Sequence, residues 1–384
     1  MSFSRRRFIL SATAMLAATQ LKSRALAAAV KTTGIKDVFE KDFFIGTAIS
    51  NEALQEPNTA LLALISREFN AITAENCMKW EEIRPQLDQW NWDLADRFVD
   101  FGLQNKMYIV GHTLIWHSQA PDHIYLDADG KRNNRLAQLE VMEEHIQTLA
   151  GRYKGKIDAW DVVNEAVEDD GSWRETGWYH NVGPEYIAHA FRMAAEVDPN
   201  AKLLYNDYNA AMPTKREAII SVVKGVQREG APIHGVGMQG HMSLTHPDFG
   251  EFEKSIVEYA NLGVKVHITE LDIDVLPLAW ELSAEISNRF EYRPEMDPYR
   301  DGLPAEAEKA LADRYEALFT ILMKHRDKIE RVTTWGTHDG ESWLNGFPIP
   351  GRVNYPLLFD RDMQPKEAYH RLLQLRQHRR YRRL

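Results

Sequence analysis

Lys156-Ile157-Asp158-Ala159-Trp160-Asp161-Val162-Val163-Asn164-Glu165 sets apolar side chains on both of its alternating faces and then stops on an amide and a carboxylate. A strand with one wet face alternates apolar with polar, whereas a strand covered on both faces reads as this one does. The stretch therefore predicts a parallel strand beneath helices. Lys265 to Asp272 has the same form, with Val266, His267 and Ile268 leading to Glu270. Working outward, six more short apolar runs end in polar residues: Phe43 to Ser50, Phe69 to Asn76, Met107 to Trp116, Lys202 to Asn209, Gly235 to Met242 and Arg331 to Asp339. They recur at roughly 40-residue intervals, with helix-periodic amphipathic segments between them. Pro184 after Gly183 opens one such segment, running to about Val197, and Pro213-Thr214 opens another that ends near Gly230. Asp93 is placed to cap a third. Eight alternating units predict an α/β fold, a single-domain (β/α)8 TIM barrel, in preference to a doubly wound sheet.

A barrel of this kind carries its working residues at the C-terminal ends of the strands and on the loops that follow them. Strand two ends Glu75-Asn76-Cys77-Met78-Lys79-Trp80, and strand three supplies His112, Trp116, His117 and Gln119. Strand four supplies Asn164 and Glu165, strand six Gln239 and His241, strand seven Glu270 and Asp272, and strand eight Trp335 and then Trp343. Glu165 and Glu270, the tryptophans Trp116, Trp335 and Trp343, and a set of amide, imidazole and ammonium donors thus converge on one rim. A pyranose ring has an apolar face that stacks on indole and an equator of hydroxyls that takes short polar side chains, so the mixture predicts a sugar site.

With Asn164-Glu165 after strand four, Glu270 after strand seven, and the blocks Glu75 to Trp80 and Gly111 to Gln119 in order, residues 28–384 resemble glycoside hydrolase family 10 along nearly their whole length. The resemblance implies an endo-acting, retaining β-1,4-xylanase that works on xylan or xylooligosaccharides without cofactor or metal. It implies Glu165 as acid/base and Glu270 as nucleophile, with His241 and Asp272 supporting the nucleophile. It implies substrate contacts from Glu75, Asn76, Lys79, His112, Trp116, Gln119, Asn164, Gln239, His241, Trp335 and Trp343. Among these, Asn164 bonds the 2-hydroxyl of the sugar being cleaved, and Gln119 and Trp343 crowd the C5 position against glucose.

The chemistry asks for such a pair, since glycoside cleavage takes one carboxylic acid to protonate the departing oxygen and one carboxylate to attack or to activate water. Strands four and seven stand nearly opposite in a barrel roughly 15 Å across. Glutamates reaching inward from them leave several ångströms between carboxylates, which suits both the retaining spacing of about 5.5 Å and the inverting spacing of 6.5 Å or more. Retention is thus an implication of the resemblance alone. One carboxyl must start protonated and the other bare, and an imidazole bonded to Glu270 would keep that group ionised.

The chain has 384 residues and a formal charge of −10. Ser4-Arg5-Arg6-Arg7-Phe8 precedes an Ala-rich apolar stretch of roughly 14 residues, short of the about 20 that span a bilayer. This predicts a twin-arginine-type export signal over residues 1–27, with Ala25-Leu26-Ala27 as the cleavage site and a periplasmic or secreted product. Cleavage would remove Arg5, Arg6, Arg7, Lys22 and Arg24, leaving 41 basic against 56 acidic residues. Such a surface disfavours nucleic acid and anionic lipid, and no membrane association is expected after cleavage. The single cysteine, Cys77, excludes an intrachain disulfide and reads as a small buried hydrophobe. No linker or second module is apparent, and a monomer is expected.

Trp80, Trp90 and Trp92 are expected in packing rather than on sugar. His112 with His117, and His241 with His246, are spaced five apart, which departs from the helical ligand pattern and disfavours a metal pair. The Arg-rich residues 376–384 read as a solvated last helix. Some thirty residues between Asp274 and about Pro304 are expected to wall the cleft and to tune chain-length preference. Three other readings remain: a β-1,4-glucanase with the same two glutamates, a sugar-binding protein on a barrel scaffold, and a metal-dependent barrel hydrolase.

Overall fold

In the computed structural model of the protein, residues 33–55, 58–277 and 291–381 are described. The expected leader lies outside them, as do residues 278–290 of the long segment after Asp274 and the last three residues of the chain. Among the described residues are nine strands: β1 (Phe44–Ile49), β2 (Ala71–Ala74), β3 (Tyr108–Ile115), β4 (Ala159–Asn164), β5 (Lys202–Asp207), β6 (Gly235–Met238), β7 (His241–Ser243), β8 (Lys265–Asp274) and β9 (Ile329–Thr334). Eight of them run in the order β6-β5-β4-β3-β2-β1-β9-β8, all neighbours parallel, and β6 pairs with β8 to close the ring. The chain is a (β/α)8 barrel. β2, β4 and β6 are buried at every position, as strands covered on both faces must be.

The lumen is polar at its middle. Arg331 on β9 has no solvent exposure and reaches to 3.9 Å from Asp161 on β4. β9 and β4 are not sheet neighbours, so this contact crosses the interior. The other face of β4 sends Trp160 and Val162 into the apolar layer beneath the helices.

Helices Tyr186–Val197 and Pro213–Arg228 follow the expected bounds, and Pro213 takes the first-turn position where its missing N–H costs nothing. Asp93 is not the cap of its helix: Trp92 holds that position, and Asp93 is the first helical residue, where its charge faces the positive end of the helix dipole. The sixth strand also departs from expectation. Instead of running from Gly235 to Met242 it stops at Met238, turns at Gly240 with φ +85°, and resumes as β7, which pairs with the far end of β8, His241 opposite Asp272.

Trp90 and Trp92 stack with centroids 4.8 Å apart, with Arg84 over Trp90 at 4.8 Å and Arg152 over Trp92 at 4.5 Å. Trp80 stacks on the buried ring of His145 at 3.6 Å. These rings are engaged in packing. Cys77 is buried, and burial pushes its thiol up to about 12. No helix among the described residues is long and apolar enough to cross a membrane.

Candidate active site

Glu165 is the residue directly after β4. Its backbone is left-handed, with φ +58°, and its side chain is 7 % exposed. Both carboxyl oxygens are gripped by neutral donors: the indole N–H of Trp116 donates to Oε2 at 2.8 Å and the amide of Gln239 to Oε1 at 2.8 Å. A carboxyl oxygen that takes up a proton still accepts one such bond. Glu165 can therefore give and regain a proton without losing its supports.

Glu270 lies inside β8 and is 5 % exposed. The two amide hydrogens of Asn206, the penultimate residue of β5, go to Glu270 Oε1 and to Asn164 Oδ1, each at 2.8 Å. Thr269 fixes the Asn206 amide by donating to its oxygen at 2.6 Å. The other Glu270 oxygen lies 3.2 Å from His241 Nε2, while His241 Nδ1 lies 3.0 Å from Asp272 Oδ1. The second oxygen of Asp272 accepts from the indole of Trp343 at 2.7 Å. A chain Trp343–Asp272–His241–Glu270 results.

The electrostatics follow from that chain. Burial by itself would push Glu270 up, but the hydrogen bond from His241, the positive potential of His112 and His241 and the Asn206 amide outweigh it and hold the carboxyl below its ordinary range. Burial opposes charge on His241, yet Asp272 first and Glu270 next raise its imidazole to about 10. His241 is thus an imidazolium at neutral pH, donating to both carboxylates. The arrangement holds one carboxylate bare and oriented beside a second carboxyl held only by neutral groups.

Lys79, His112, Trp116, Asn164, Glu165, Gln239, His241, Glu270, Trp335 and Trp343, ten of the residues named from sequence, line one pocket. Lys79 lies 5.1 Å from the centre of the Trp116 ring and 6.0 Å from that of Trp335, and burial pulls its ammonium below the usual value. Asp161 orients His112 through its Nδ1 at 2.9 Å. Asn76 stands behind Lys79, accepting from its ammonium at 3.0 Å. Glu75 is pushed up by burial, with Lys79 pulling the other way. Glu75, Asn76, Gln119 and Asp272 are not in the wall of this pocket: Asp272 is wholly buried beneath it, and the Gln119 carbonyl accepts from the Glu81 N–H at 2.9 Å.

Two members were not named from sequence. Tyr208 lines the pocket and Asn206 bridges Asn164 to Glu270. Their signal was the polar run Asn206-Asp207-Tyr208-Asn209 ending the fifth strand, the same signal that marked the other strands. Just beyond, Asn209 and Ser243 belong to a larger cleft of about 810 Å³, walled also by Asp169, Asp274, Pro277 and Tyr299. His246 lies in that cleft, while His117 Nε2 meets Arg174 at 3.2 Å. Among the described residues no three His, Cys, Asp or Glu side chains are grouped to hold a metal ion.

Residues 34–375 match the model of glycosyl hydrolase family 10. The chain belongs to that family. This family 10 chain is 42% identical to endo-1,4-beta-xylanase A of Xylanibacter ruminicola over 89% of its own length and 93% of that protein's. It is 40% identical to the endo-1,4-beta-xylanase of Geobacillus stearothermophilus, over 89% and 98% of the two chains. Among solved structures, a family 10 endoxylanase retrieved from a sugarcane soil metagenome superimposes with a TM-score of 0.86 at 57% identity, covering 90% of this chain and 99% of that one. Xylanase XynB of Paenibacillus barcinonensis, solved with a conduramine derivative, gives 0.79 at 38% identity over 90% and 99%.

Proposed function

We propose that this family 10 protein is an endo-β-1,4-xylanase that cleaves internal bonds of xylan with retention of configuration. Glu270 attacks the anomeric carbon as Glu165 gives its proton to the departing oxygen. The resulting glycosyl ester is then cleaved by a water that Glu165 deprotonates, so the acid ends the cycle with its proton restored. The observation that carries the reading is the contrast between the two buried carboxyls of one pocket, one paired with an imidazolium and the other held by neutral donors. Trp116, Trp335 and Trp343 supply the faces on which xylose rings stack, and Asn164 the amide beside the 2-hydroxyl. Membership of the family, and relatives named as xylanases, support xylan as the substrate. The same reading takes the protein to be a monomer, exported by its leader to the periplasm or beyond.

The test is a pair of variants assayed on xylan and on an activated aryl xylobioside. Glu270→Gln loses essentially all turnover on both. Glu165→Ala loses about 10²–10⁴-fold on xylan, keeps kcat/KM on the activated glycoside, and is partly rescued by azide. Wild-type rates for either variant on xylan would remove the assignment. Faster turnover of carboxymethyl cellulose than of xylan would make the protein a glucanase instead.

A further inference from the structure

The left-handed backbone of Glu165, with φ +58°, is unfavourable for a residue bearing a Cβ, so the surrounding structure must hold it there. The N–H of Glu165 donates to the Asn206 carbonyl at 2.9 Å. The next N–H, that of Ala166, donates to the hydroxyl of Tyr205 at 3.0 Å. That hydroxyl donates in turn to Asp207 Oδ2 at 2.5 Å, and Asp207 Oδ1 is ion-paired with Lys215 at 2.9 Å. Lys215 also reaches Asp169 at 3.1 Å and stands 3.3 Å over the ring of Tyr208, which lines the pocket.

Tyr205, Asp207 and Lys215 have no solvent exposure and do not line the catalytic pocket. A buried ion pair is a weak source of stability, because removing two charges from water offsets their attraction. Its geometry suits a different task. A phenol has one hydrogen; Asp207 takes it, which leaves a lone pair aimed at the Ala166 N–H. Lys215 makes this direction persistent by favouring charge on Asp207, whose carboxyl burial has pushed up to about 6.

We propose that Tyr205, Asp207 and Lys215 form a positioning chain for the general acid: by fixing the peptide that follows Glu165, they present its carboxyl to the departing oxygen in one orientation. The inference rests on Glu165 being the acid, as proposed above. None of the three is a catalytic residue, since each acts through the backbone beside Glu165.

Tyr205→Phe removes the hydroxyl and little else. It is compared with wild type on an alkyl xylobioside, whose leaving group needs a proton, and on a dinitrophenyl xylobioside, whose leaving group does not, with kcat/KM reporting bond cleavage in both. The expected result is a fall of about tenfold or more on the alkyl substrate and of about twofold or less on the dinitrophenyl one. A merely structural role would lower both alike. Equal losses on the two substrates, or none on either, overturn the proposal. If Tyr205→Phe does not accumulate folded, Asp207→Asn, which keeps the side chain's shape, is read on the same two substrates by the same criterion. Glu165→Ala separates the two ideas: if it lacks leaving-group dependence the assignment of the acid fails, whereas if it has that dependence and Tyr205→Phe lacks it, only the positioning chain fails.

Discussion

His241 stands between two buried carboxylates, and its charge serves opposite ends. Towards Glu270 it favours the bare form that a nucleophile needs; towards Asp272 it is held in the orientation that lets Nε2 reach Glu270. Glu270 has its folded value depressed, so removing the imidazolium lets burial raise it. In His241→Asn the acidic limb of kcat/KM against pH should therefore move to higher pH, and an unmoved limb would mean that His241 does not set the charge of Glu270. Stability carries the reverse sign for His241. Its folded value is raised to about 10 from 6.5, so its contribution is complete below about 6.5 and is lost as pH rises towards 10. Melting temperatures of wild type and His241→Asn should converge across that window.

Among the elements, the break between β6 and β7 matters most to the site. A strand running straight from Gly235 to Met242 would send Gln239 and His241, two residues apart, off one face in the same direction, whereas the site uses them at different carboxyls, Gln239 at Glu165 and His241 at Glu270. The turn at Gly240 lets Gln239 reach Glu165 while His241 joins β8 opposite Asp272. Gly240 has φ +85°, and a Cβ there would stand 2.9 Å from Ile268 Cγ2. Gly240→Ala should cost about 1–3 kcal/mol, seen as a melting temperature lower by several degrees, and should depress turnover further because both neighbours shift. A variant that melts and turns over as wild type does would show that the turn tolerates a side chain.

Across the whole molecule, closure of the ring brings residues far apart in sequence onto one floor and leaves a second, larger cleft beside the pocket. Its volume of about 810 Å³ lies in the range of ligand sites. Tyr299 on its wall is partly exposed, with its carbonyl tied to the Tyr355 hydroxyl at 2.9 Å. If a longer xylan chain continues into this cleft, losing one aromatic stack of about 0.5–1.5 kcal/mol lowers kcat/KM roughly two- to tenfold. Tyr299→Ala should then lose that much on xylohexaose and little on an aryl xyloside. Equal effects on the two substrates would separate the cleft from substrate binding.

Much of this architecture was legible before any coordinates, because it is written locally. Apolar runs such as Ala159–Asn164, helix starts such as Pro213, and polar strand ends such as Asn164-Glu165 are each set by neighbours along the chain, and eight of them in alternation leave few folds to choose from. Membership of the pocket followed from the same rule, since a strand's C-terminal end has one place to go in a barrel. What local pattern does not carry is register and reach. That one amide, Asn206, serves both Asn164 and Glu270, that Asp272 holds both His241 and, 71 positions further on, Trp343, and that Glu165 sits on a left-handed turn braced by Tyr205 were decided only when the ring closed. Those contacts join strands through space, and their geometry is set by the packing of the whole barrel rather than by any segment of it.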